Sequence, residues 1–94
     1  MTTLNYNLTR PRLAASIARI RERVASAECE LAKARDRHAE SVQAIASGKW
    51  IAMDAICADP GYVADFERRL AFHRRTLNHH TALFAELHGK AVLA

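Results

Sequence analysis

From Leu13 onward, apolar residues recur at Ile17, Ile20, Val24, Ala27, Leu31 and Ala34, and the series ends on His38, with steps alternating four and three. An average step of 3.5 residues puts all these side chains on one stripe of an α-helix, and a strand cannot use such spacing. The stripe therefore demands a second helix to cover it, in coiled-coil fashion. Alanine-rich intervals around it favour helix on propensity alone. Pro11, preceded by Thr9 and Arg10, suits a first helical turn. Beyond His38 the stripe is expected to continue through Val42 and Ile45, a four-residue step that interrupts the heptad. Gly48 is the natural stop. The first helix is thus predicted over 10–47, about 57 Å long.

A second seam reads Val63, Phe66, Leu70, His73, Leu77, His80, Phe84 and Leu87, again in steps of three and four. Asp59-Pro60 supplies a capping residue followed by proline at the first helical position, and Gly89 ends the run. This predicts a helix over 60–88, with a short helix over 49–58 between the two long ones. The fold class is then all-α: one domain spanning 1–94, an elongated antiparallel helical hairpin, coiled-coil-like, with the short third helix capping one end. Residues 1–9, where polar and apolar side chains alternate from Thr3 to Leu8, are read as an extended N-terminal arm. Pairing residues whose numbers sum to 107 or 108 sets small seam residues against large ones: Ala27 against His80, Val24 against Phe84, Ala34 against His73, Val42 against Phe66, Ile45 against Val63.

Ninety-four residues with a net charge of +4 suffice for one small domain. Its core is thin in aromatics, so a partner or a second copy would help stabilise it. Two distant cysteines, Cys29 and Cys57, point to a reducing compartment. MTTLNYNLTR has no basic leader followed by an apolar run, and no stretch approaches eighteen apolar residues. A soluble, cytoplasmic protein with no membrane association is expected.

Residues 68–80 read RRLAFHRRTLNHH. Two helical histidines that share a metal ion usually sit three or four residues apart, and here the seam histidines His73 and His80 are seven apart. They are read as seam residues with the polar nitrogen at the edge, and no metal or cofactor is expected. No glycine-rich phosphate loop, GxSxG or acid–base pair of carboxylates is present. A rod-like hairpin also offers little concave volume for a substrate. The chain is not expected to be an enzyme.

Charge carries what functional signal remains. Arg68, Arg69, Arg74 and Arg75 lie outside the second seam, and the expected register brings them beside Lys33, Arg35 and Arg37 as a positive band across the rod. Phe72 and Leu83, eleven residues apart on nearly one face, are left over after the core is assigned. An aromatic flanked by arginines matches the composition of interface hot spots. Flanking the first seam, charge sign reverses each heptad through Arg21 and Arg23, Glu28 and Glu30, then Arg35 and Arg37, a pattern that a parallel self-pairing could use. The expected function is non-catalytic, stoichiometric binding to a protein partner or multi-protein complex through Arg35, Arg37, Arg68, Arg69, Arg74 and Arg75. Phe72 and Leu83 would add an apolar contact, with homodimerisation as another use of that face. Small prokaryotic or phage chains of this kind often serve as adaptors, chaperones or inhibitors of a host complex. The alternative is a basic helical nucleic-acid-binding or regulatory protein whose arginines track phosphates.

Overall fold

The structure, a computed structural model, describes residues 8–89, so most of the arm expected over 1–9 lies outside the described residues. Three helices follow in order: α1 (Arg10–Ala46), α2 (Ala52–Cys57) and α3 (Pro60–His88). At 37 residues α1 is about 55 Å long. It packs against α3 along most of that length, and the result is an elongated antiparallel hairpin with α2 folded against one end.

The punctuation residues act largely as their chemistry requires. Pro11 and Pro60 occupy first turns. Gly48 adopts φ +76 after α1, with Lys49 N–H donating to the Ala44 carbonyl and Gly48 N–H to the Ile45 carbonyl. This double bond is the left-handed helix stop that glycine permits without strain. Gly89 ends α3 at φ +89. Asp59 departs from expectation. Its side chain makes no cap bond, and its carbonyl instead accepts from Tyr62 N–H at 2.9 Å. The short helix is also shorter than predicted, since residues 49–51 run as a non-helical link into Ala52.

Along α1 the buried residues are Leu13, Ile17, Ile20, Ala27, Leu31, Ala34 and Ser41. The heptad therefore runs unbroken through His38 to Ser41, and the expected step to Val42 and Ile45 does not occur; both of those are exposed. One core cluster joins Leu13, Ile17 and Phe84, and a second joins Ala27, Leu31 and Leu70. Facing residues therefore sum to about 100, one heptad away from the predicted 107 or 108. Cross-helix pairs agree: Arg35 meets Glu67 at 3.4 Å and Arg74 meets Glu28 at 3.0 Å.

The cause of the slip is α2. Ser41 Oγ donates to Asp54 Oδ1 at 2.8 Å, and His38 Nδ1 donates to the Cys57 carbonyl at 2.8 Å. The last turns of α1 are thus occupied by α2, so α3 begins its contact about one heptad further back along α1. Val42 and Ile45, expected to face Phe66 and Val63, are left uncovered.

At the opposite end His88 Nε2 donates to the Leu8 carbonyl at 2.7 Å while its ring lies 5.2 Å from that of Phe84. Cys57 is buried and Cys29 exposed, and neither forms a disulfide. No described helix is long and apolar enough to cross a membrane.

Candidate functional site: the arginine band and its neighbours

Six arginines were singled out from sequence, and the register decides what each meets. Arg68 pairs with Asp65 one turn earlier on α3. Arg74 reaches Glu28 and Arg35 reaches Glu67, both across the helix interface. Arg37 lies 3.2 Å from Asp54 Oδ1 and 3.9 Å from Glu40. The expected register would have set Arg74 beside Lys33. One heptad of slip replaces that repulsion with an ion pair. The band is consequently an alternating lattice, in which most positive charge is matched locally. The exposed pairs among these, Arg68–Asp65, Arg74–Glu28 and Arg35–Glu67, contribute little stability, roughly 0–1 kcal/mol each. They do occupy Glu28 and Arg35, which a parallel self-pairing would have needed.

Two arginines stand apart. Arg69 lies over the Phe66 ring, 4.8 Å from its centroid, and Arg75 makes no ion pair among the described residues. Beside Arg69 is Phe72, 57% exposed, its ring edge-on to His73 at 5.5 Å. Asp65, Arg68, Arg69, Phe72 and His73 line a shallow depression on the outer side of α3. Leu83, grouped with Phe72 from sequence, is different. It is half-buried against the Leu13–Ile17–Phe84 cluster, and so belongs to the edge of the core. Phe72 remains the large apolar side chain exposed in this part of α3.

A second groove lies between α1 and α3. Ser16, Arg19, Ile20, Arg23, Thr76 and His80 line it, and no carboxylate does. Arg19 Nη2 donates to Ser16 Oγ at 3.1 Å, which leaves the serine hydrogen free to point elsewhere. His80 Nδ1 donates to the Thr76 carbonyl at 2.9 Å, so its Nε2 is the ring atom left to the groove. The i, i+4 spacing of Arg19 and Arg23 is visible in sequence, but their α3 neighbours follow only once the register is known.

Asp54 is the buried carboxylate of the described chain. Ile51 N–H donates to its Oδ2 at 3.0 Å, Ser41 to its Oδ1, and Arg37 stands alongside. The Ile51 amide first, then the Ser41 hydroxyl, then the Arg37 charge hold it below the ordinary carboxylate value of 3.8 against the opposing effect of burial. An ionised, fully bonded carboxylate is a clamp and a poor proton donor. Among the described residues, no three histidine, cysteine, aspartate or glutamate side chains gather as a metal site.

The fold and these surfaces define a class: a basic, elongated helical hairpin whose distinctive features lie on its outer faces. Comparison of the chain with protein-family models, curated proteins and solved structures finds no match.

Proposed function

We propose that this chain is a non-catalytic protein that works by stoichiometric binding to a protein partner or multi-protein complex, in the manner of an adaptor, chaperone or phage-type inhibitor. It would act in the reducing cytoplasm, as its two unpaired cysteines suit. The observation that carries this reading is Phe72, 57% exposed in a depression rimmed by Arg68 and Arg69. An aromatic ring among guanidinium groups combines apolar area with bidentate donors, and suits a partner surface that offers carboxylates around a small apolar pocket. Arg69 and Arg75 supply charge that internal pairs do not consume, whereas Arg35, Arg37, Arg68 and Arg74 chiefly set the surroundings.

Affinity capture with the intact chain tests it. Phe72→Ala and the double variant Arg69→Glu/Arg75→Glu should each keep parental helicity and lose the captured partner. Capture of the same partner at unchanged yield by both variants would remove this face from the mechanism.

A second reading rests on the Arg19–Arg23 groove, which is lined by two arginines and by Ser16 and Thr76, with no carboxylate among its lining residues. That chemistry suits the phosphates of a nucleic acid, with affinity falling steeply as salt rises. A mobility-shift titration with random duplex and single-stranded DNA and RNA across a salt series separates the two. Micromolar, salt-sensitive binding that Arg19→Glu/Arg23→Glu abolishes would establish the second reading; no shift at low salt leaves the protein partner.

A further inference from the structure

Of the eight large apolar residues exposed in the described chain, six fall between positions 42 and 56: Val42, Ile45, Trp50, Ile51, Met53 and Ile56. They come from the last turns of α1, the link and α2, all at the α2 end of the rod. The helix α2 is inside out with respect to water. Its inward residues are Asp54 and Cys57, the former bonded to Ser41 and Arg37, while Met53 and Ile56 point outward. Ile51 is 66% exposed, Ile56 60% and Trp50 52%. A six-residue helix is far too short to persist on propensity. With its polar face spent on the α1 clamp, its apolar face is left for an outside surface.

We infer that the tip is the self-association surface of the protein, and that two copies meet end to end through residues 42–56. Two observations select a second copy over other occupants. First, charge: Lys49 is the one exposed ionised side chain in the segment 41–58, since Asp54 is buried and paired. Two chains of net charge +4 repel along their bodies, and the tip, with Lys49 as its one exposed charge, is where they can touch while keeping the arginine-rich bodies apart. A twofold interface sets each patch against itself, so an apolar patch carrying a single exposed lysine is closer to self-complementary than the arginine-rich bodies are. Second, area: from their fractional exposures the six residues expose on the order of 600 Å² per copy, and burying all of it in both copies would reach the lower bound of about 1,200 Å² for specific interfaces.

This end-to-end dimer stands independently of the partner-binding reading, and it would place two copies of the Phe72 face on one particle. The test is sedimentation equilibrium of the intact chain over a wide concentration range, with Trp50, the single tryptophan, as a local reporter. Mass should rise with concentration from 10.5 kDa toward twice that value, and Trp50 emission should shift to the blue in step. Ile51→Glu/Ile56→Glu should weaken association more than about tenfold with unchanged helical circular dichroism, whereas Phe72→Glu should leave it intact. If the glutamates disturb folding, Met53→Gln/Ile56→Gln serves in their place. A chain that stays monomeric at every concentration overturns the inference, as does a dimer that the tip variants form as tightly as the parent.

Discussion

Phe84 offers the sharpest check on the register of the hairpin. It is fully buried and packs with Leu13 and Ile17, whereas pairing by residue size alone would set it against Val24. Val24 instead adjoins the Ala27–Leu31–Leu70 cluster, about 10 Å further along the axis. Phe84→Leu should cost roughly 1–2 kcal/mol and Ile17→Ala roughly 2–5 kcal/mol, the latter through lost burial and a residual cavity. If the two side chains touch, the second truncation enlarges a void that already exists. The double variant should then depart from additivity by at least about 0.5–1 kcal/mol. Phe84→Leu with Val24→Ala should add to within about 0.3–0.5 kcal/mol. A chain of this length has roughly 5–14 kcal/mol in total, so the Ile17 double variant stands near the limit and is best measured in sulfate. Urea unfolding followed by helical circular dichroism, fitted with a shared slope, gives all the terms. Coupling that is larger with Val24 than with Ile17 would refute the register and the role assigned to α2.

Other predictions concern the clamp and the helix ends. Asp54 has its carboxyl pKa lowered in the fold, so the stability it gives is complete above the ordinary value of 3.8 and is lost as pH falls below it toward the folded value. Acid unfolding monitored by Trp50 emission should show this loss in the parent and not in Asp54→Asn, whose stability should vary less over that range. Gly48 adopts φ +76 with open space around the position of a side chain, so Gly48→Ala should cost about 1 kcal/mol from backbone strain alone, read as a lower urea midpoint. Arg74→Glu sets two carboxylates together at Glu28, and Glu28→Arg/Arg74→Glu should restore stability to within about 0.5 kcal/mol of the parent in the same assay.

Much of the architecture was legible because helix periodicity, proline and glycine are local signals. The two seams, Pro11, Pro60, Gly48 and Gly89 place three helices within a few residues of their observed bounds. Register is not local. A heptad repeat fits its partner again after every seven residues, and preferring small-against-large contacts chose the wrong one of two near-equal fits. The deciding residue, Ser41, was invisible to a search for apolar side chains, because a serine in a seam looks like an interruption until Asp54 is seen to bond it. Val42 and Ile45 were drawn into the seam for the converse reason. At the candidate site, the exposure of Phe72 followed from its place outside the seam. The ion pairing of the arginines and the core contact of Leu83 depended on the register and on helix rotation, and the Arg19–Arg23 groove depended on both.

The hydrogen bonds that join the helices also differ greatly in how much chain they close. Ser41 to Asp54 spans 13 residues, while His88 to Leu8 spans 80. Loop-closure entropy grows with the logarithm of length, so the longer closure is harder by about 1.6 kcal/mol when made from an open chain. Closure at the α2 end therefore costs less than closure at the termini, and the turns of α3 next to it meet α1 in an alignment that α2 favours. The same turn that displaces the pairing by one heptad thus favours that one alignment among those the seven-residue periodicity of the seams offers the chain.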